Sequence, residues 1–210
     1  IIQQTVGPTL KEESLNLFAQ VEHPILGTYR TLGPPALYSR SPWQIRRPAP
    51  LLGEHTSEVL DEWSSIPPVK SDVTKASSMN VLPLEHVNVT AFSRGWAAPY
   101  GTRYLGDFGA QVVKIESTKF SDGRTIDPRQ DYPMWWELNS QFAEMNRNKL
   151  SVTLDLHTEG GQNVFRKLTE VSDVVVENNK PGAMEKFGLS YEDLQKINPG
   201  IIMVRAPAYG

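Results

Sequence analysis

The feature that most restricts the fold is a rhythm that sets in after residue 79. Val87, Val89 and Phe92, then Gln111 to Ile115, Leu150 to Leu156, Val174 to Glu177 and Ile201 to Val204 read as short strands. Val174-Val175-Val176 is β-branched without polar alternation, the pattern of a parallel strand covered on both faces. Helical faces separate most of these runs. Ala97 to Phe108 carries Tyr100, Tyr104, Leu105 and Phe108 on one side, with Gly109 placed to end it. Thr158 is an N-cap for a helix whose Val164, Phe165, Leu168 and Val171 point inward, and Ser190 with Asp193 forms a capping signature for Tyr191 to Ile197. Pro181 suits the first turn of a short helix closed by Gly188. Strands alternating with helices predict an α/β fold, a parallel Rossmann-like sheet with helices on both faces.

Residues 1–63 lack that rhythm. Leu10 to Ala19 reads as a helix or an irregular segment. His23 to Pro50 is punctuated by His23-Pro24, Gly33-Pro34-Pro35, Ser41-Pro42 and Pro48-Ala49-Pro50, which predicts extended pieces and turns laid over another surface. Gly53 to Trp63 reads as a helix. Ser64 to Met79 holds five Ser, two Pro and two Lys without periodicity, and is expected to be a linker. Ser117 to Lys149 is long for a βα connection and carries Trp135, Trp136, Tyr132 and Phe142 beside Asp122, Arg124, Asp127 and Arg129. The tryptophan pair reads as an anchor for this insertion, with stacking on a ligand as the alternative.

Several function classes fall away. A net charge of −3 argues against a broad nucleic-acid footprint, and no apolar run is long enough to span a membrane. The chain has no cysteine, hence no disulfide or thiolate chemistry. His23, His55, His86 and His157 show no ligand spacing, so no metal is expected. The first strand, Gly95 and Glu116 echo the opening of a dinucleotide-binding unit, but Gly-x-Gly-x-x-Gly is missing and Trp96 obstructs the approach of a pyrophosphate; no NAD is expected. In open α/β sheets ligands lie beyond the carboxyl ends of the strands. The turn after Val174 to Glu177, with Lys180 and Lys186 following, is therefore the first candidate for an anionic ligand, although cations late in a helix also complement its dipole.

Five segments carry a resemblance: Pro83-Leu84 through Ala98-Pro99-Tyr100; Leu105 to Glu116; Asn146 to Leu156; Glu177-Asn178-Asn179-Lys180-Pro181-Gly182 with Gly188-Leu189; and Asn198-Pro199-Gly200-Ile201-Ile202. In this order they resemble the N-terminal part of the family III CoA-transferases (CaiB/BaiF; the carnitine CoA-transferase, formyl-CoA transferase and methylacyl-CoA racemase group). His23 to Gly27, Gly33-Pro34-Pro35, Arg47 to Thr56 and Val59-Leu60 resemble the same family's C-terminal tail. The resemblance implies three parts: 1–63, the tail of a first unit; 64–79, a linker; and 80–210, the Rossmann-like CoA-binding part of a second unit. With no initiator Met, the chain then reads as an internal fragment of a tandem fusion, folding as a permuted large domain.

The resemblance also implies a cytoplasmic enzyme that moves CoA from an acyl-CoA thioester to a small carboxylic acid through an aspartyl intermediate. No aspartate here takes the nucleophile's place, so the fragment alone is expected to be inactive. The parent is expected to be an intertwined dimer or pseudo-dimer, without nucleic-acid or membrane partners. Alternatives are a transferase-lyase acting on dimethylsulfoniopropionate or a similar onium acid, an acyl-CoA racemase, and a non-catalytic half of the fusion. Carried-over coenzyme A contacts are Gly95, Trp96, Leu154, Asn178, Asn179, Lys180, Lys186 and Phe187. This chain departs from the family at Asn179-Lys180, where Phe-Arg is usual, and at Ala91, Leu150 and His157. Lys180 in particular lacks the bidentate fork of Arg.

Overall fold

The computed structural model describes residues 18–33, 38–63, 65, 82–119, 124 and 131–207. Five parallel strands form the central sheet: β3 (Asn88–Phe92), β4 (Gln111–Glu116), β5 (Lys149–Thr153), β6 (Val174–Glu177) and β7 (Ile202–Arg205). Their spatial order is β5-β4-β3-β6-β7, so the chain reverses direction across the sheet between β3 and β6. Val89 lies beside Val112 on one side and Val174 on the other.

Side-chain parity sorts the strands onto two covered faces. Phe92, Val113, Ile115, Leu150, Val152 and Val175 point to one face, beneath α1 (Thr56–Trp63), α4 (Glu159–Glu170) and α6 (Tyr191–Ile197). Val89, Ala91, Val112 and Val176 point to the other, where Ala98 and Leu105 of α2 (Ala97–Asp107) cover them. The helix starts follow the capping chemistry read from the sequence. Thr158 accepts from Gly161 N, and Ser190 with Asp193 forms a reciprocal capping box.

Two boundaries move. β5 ends at Thr153 rather than Leu156, because Leu154 N turns to bond Glu116 O where β4 also ends. The short helix α5 (Ala183–Lys186) starts after Gly182, which sits at φ +82°, so Pro181 lies in the turn before it and not in its first turn.

The Pro-rich stretch has a more definite structure than its composition announced. β1 (Phe18–His23) and β2 (Gly27–Leu32) form an antiparallel hairpin, with His23 Nδ1 accepting from the amides of Ile25 and Leu26 in the turn. Phe18 and Ala19 are therefore strand, not helix; the rest of the Leu10 to Ala19 reading and, apart from Ser65, the 64–79 linker lie outside the described residues. Residues 44–56 then run along the outer edge of β5. His55 N donates to Ser151 O (3.0 Å), Thr153 N to Thr56 Oγ1 (3.1 Å) and Gly53 N to Ser151 Oγ (2.9 Å). These bonds satisfy edge groups that the sheet leaves open. α1 is shorter than the sequence suggested, but its Val59 and Trp63 enter the same core as Leu150 and Val152. The described part of the stretch closes the core of the sheet through Val59 and Trp63.

A buried polar clasp joins this stretch to the amino ends of β4 and β5. Arg147, wholly buried, makes a two-point bond to Asp107 (Nε–Oδ1 3.1 Å, Nη2–Oδ2 2.7 Å) and donates through Nη1 to Thr31 Oγ1 and Leu32 O. Its guanidinium also lies 5.1 Å from the Trp43 ring centre. Asn148, at φ +61°, accepts from the amides of Arg46 and Arg47 and donates to Gln44 O and Asp107 Oδ1. The loop approaches α2 so closely that a Cβ on Gly106 would stand 2.9 Å from Asn148 O. α3 (Ser140–Asn146) leads into this clasp, and its Glu144 pairs with Arg103 of α2 and bonds Thr31. Among the described residues no helix is long and apolar enough to cross a membrane.

Candidate functional site

Parallel strands end together, and at the carboxyl end of this sheet they leave a crevice of about 410 Å³. β3 contributes Phe92 and, just beyond it, Arg94; the segment after β4 contributes Ser117; and that after β5 contributes Leu154, Leu156 and His157. Asn178, Asn179 and Lys180 follow β6, and Ala183 and Phe187 come from α5 and its end. The crevice thus straddles the β3–β6 reversal, the place where open α/β sheets collect ligands.

Its walls are held by backbone-directed amides. Asn178 and Arg94 bond reciprocally: Arg94 N donates to Asn178 Oδ1 (2.7 Å) and Asn178 Nδ2 to Arg94 O (2.8 Å). Asn179 Nδ2 donates to Phe92 O and to Glu177 Oε2, each at 3.2 Å. Both asparagines therefore stitch the turn after β6 to the turn after β3. On the other wall, the His157 ring meets Phe187 edge to face at 5.3 Å, and His157 N donates to Asp155 Oδ1. The ion pair with Lys119, followed by the His157 amide, holds the Asp155 carboxyl below its ordinary range.

Arg94 and Lys180 are exposed at the rim, Phe92, Leu154, Leu156 and Phe187 supply apolar surface, and among the described residues no carboxylate lines the crevice. This chemistry suits an anion joined to an apolar body. Among the described residues no group of three His, Cys, Asp or Glu could hold a metal ion.

Of the eight residues singled out from the sequence, the crevice gathers Leu154, Asn178, Asn179, Lys180 and Phe187. Gly95, at φ +66°, belongs to the turn beside it. Trp96 faces a second groove, of about 470 Å³, which it shares with Phe18, Arg30, Tyr100, Glu144 and others. Lys186 is exposed on α5 and is not among the lining residues. Phe92, Arg94, Ser117, Leu156 and Ala183 escaped the sequence reading. Parity along β3 and proximity to Gly95 were the available signals for Phe92 and Arg94.

Glu116, which echoed a dinucleotide-binding unit in the sequence, has another role. It is buried, takes Arg124 Nε and Nη2 at 2.8 and 2.9 Å, and accepts from Ser151 Oγ at 2.6 Å. Burial pushes its pKa up, but Arg124, Lys114 and Ser151 together outweigh this and leave it below the ordinary value. Arg124 also pairs with Glu137, donates to Pro50 O, and sits 3.6 Å from the Phe142 ring centre. For Glu137 burial prevails over Arg124, and its pKa is raised. Trp135 and Trp136 pack edge to face with centres 6.1 Å apart, and neither lines the crevice.

Comparison with known proteins agrees with the fold. The family model described as CoA-transferase family III matches residues 84–210. The succinyl-CoA–L-malate CoA-transferase alpha subunit of Chloroflexus aurantiacus is 38% identical over 151 residues, covering 70% of this chain and 34% of that protein. Human succinyl-CoA:glutarate CoA-transferase is 36% identical over 132 residues, covering 62% of this chain and 29% of that protein. A crystal structure of a CAIB/BAIF family protein from Brucella suis superposes with a TM-score of 0.54 at 36% identity, over 60% of this chain and 33% of its own. The chain thus spans about a third of the length of the relatives it matches.

Proposed function

Since the chain belongs to CoA-transferase family III, we propose that its crevice is the CoA-binding wall of an enzyme that moves CoA from an acyl-CoA thioester to a small carboxylic acid. The observation that carries this reading is the crevice itself. It has the volume of a small-molecule site, stands at the sheet's reversal point, and combines an apolar lining with Arg94 and Lys180, with no opposing carboxylate among the described residues. CoA presents phosphates that such cations attract and apolar surface that Phe92, Leu154 and Phe187 can cover.

The division of labour follows from the contacts. Arg94 and Lys180 bind anionic oxygens at the rim. Asn178 and Asn179 fix the two turns that carry those cations. Phe187 and His157 form the opposite wall. We assign the covalent step, an aspartyl anhydride and then a thioester exchange, to a carboxylate outside the described residues, because none among them lines the crevice. On this reading the described residues bind acyl-CoA and the nucleophile comes to them from elsewhere.

Isothermal calorimetry with CoA tests the proposal. The wild-type chain is expected to bind, and Lys180→Ala to bind about tenfold more weakly through loss of one charge-assisted contact. Equal affinity in the two proteins removes Lys180 from the site, and absence of binding to the wild type overturns the reading.

A further inference from the structure

One buried acid beside the crevice is unused by the proposed binding contacts. Glu177, the last residue of β6, is about 1% exposed, yet both carboxylate oxygens are engaged. Oε2 accepts from Asn179 N at 2.7 Å and from Asn179 Nδ2 at 3.2 Å; Oε1 accepts from Arg205 Nε at 2.8 Å. Arg205, on edge strand β7, reaches in the other direction as well: its Nη1 lies 3.0 Å from Glu185 Oε1 on α5. One guanidinium therefore ties the turn after β6 to the short helix whose end presents Phe187 to the crevice. A four-residue helix has little stability of its own and takes its position from such outside ties. Burying a carboxylate this deeply costs free energy unless it is paired and hydrogen-bonded, and Arg205 supplies the pairing at Oε1.

We propose that Arg205 is a positioning residue for the crevice: by holding Glu177 and Glu185 together it orients Asn179 and sets α5, and so fixes the gap between the two walls. The inference rests on the acyl-CoA reading only for the identity of the ligand. Lys could replace the charge at this position but not the two-way fork.

Two measurements on the whole 210-residue chain decide it. In nitrogen-15-edited spectra without ligand, Arg205→Met is expected to move the Asn179 side-chain amide signals, Arg205→Lys to move them less, and Glu185→Gln to leave them in place. In CoA calorimetry, Arg205→Met is expected to weaken binding about tenfold and Glu185→Gln about threefold. A purely structural role for Arg205 would lower the melting temperature while leaving affinity below the transition unchanged. Wild-type Asn179 signals in Arg205→Met, or wild-type affinity in that variant, overturn the proposal. A wild-type chain that binds no CoA defeats the acyl-CoA reading instead, and the Asn179 signals still decide whether Arg205 positions the turn.

Discussion

The two ends of the parallel sheet treat their polar side chains in opposite ways. At the amino ends of β4 and β5, Arg147, Asp107 and Asn148 are buried and spend their hydrogen bonds on each other and on backbone from residues 31–47. At the carboxyl ends, Arg94 and Lys180 stand exposed over an apolar crevice, and the amides beneath them bond only neighbouring turns. The first arrangement joins distant parts of the chain; the second leaves charge available. The segment Asn146 to Leu156, one of the five that carry the family resemblance, divides between the two: Arg147 and Asn148 serve the clasp, whereas Leu154 and Leu156 line the crevice. A strongly patterned motif can therefore owe its pattern to assembly as much as to ligand binding.

Breaking the clasp should cost the most. Arg147→Ala leaves Asp107 buried and without its two-point partner, and unfolding free energy in urea should fall by about 3–5 kcal/mol. Next comes the pair of acids on Arg124, which titrate in opposite senses. Glu116, with its folded pKa below the ordinary 4.5, contributes stability that is fully present above that value and is lost as pH falls through the folded pKa. Glu137, raised above 4.5, favours folding at low pH and loses that contribution as pH rises through its own folded pKa. Urea titrations over a pH series should accordingly show Glu116→Gln removing part of the acid-side loss of stability, and Glu137→Gln deepening it.

Effects at the other end of the sheet should be smaller on stability and larger on binding. Asn178→Ala removes both bonds to Arg94 and should cost about 1–2 kcal/mol, with CoA affinity falling as the Arg94 turn loosens. Lys180→Ala should change stability by no more than about 0.5 kcal/mol, because the side chain is exposed, so its effect should be confined to affinity. A Lys180 variant as destabilised as Arg147→Ala would dissolve the contrast between the two ends.

What the sequence disclosed follows the same division. Strands such as Val174 to Glu177 and caps such as Thr158 and Ser190 are local patterns, and each stands where its residues placed it. The crevice was partly legible because strand ends and turns are local too: Asn178, Asn179 and Lys180 form one continuous turn. Arg94 adjoins Gly95, which was a local signal, but the clamp that holds it comes from Asn178, 84 residues away. The clasp was hidden for the same reason, Arg147 meeting Leu32 across 115 residues. The β1–β2 hairpin was missed because His23-Pro24 read as general punctuation, although His23 Nδ1 folds the turn around itself.

The bonds between residues 44–56 and the β5 region also set an order of events. Gln44, Arg46 and Gly53 precede their partners Asn148 and Ser151 by 98 to 104 residues, so they leave the ribosome long before the strand they will cover exists. Until then the Pro-rich stretch has nothing to fold upon, and closing so large a loop costs entropy before any contact rewards it. The β3–β4 and β4–β5 pairs join strands made one after the other, whereas the outer edge of β5, like the β3–β6 seam, is closed only when a segment synthesised early meets one made much later.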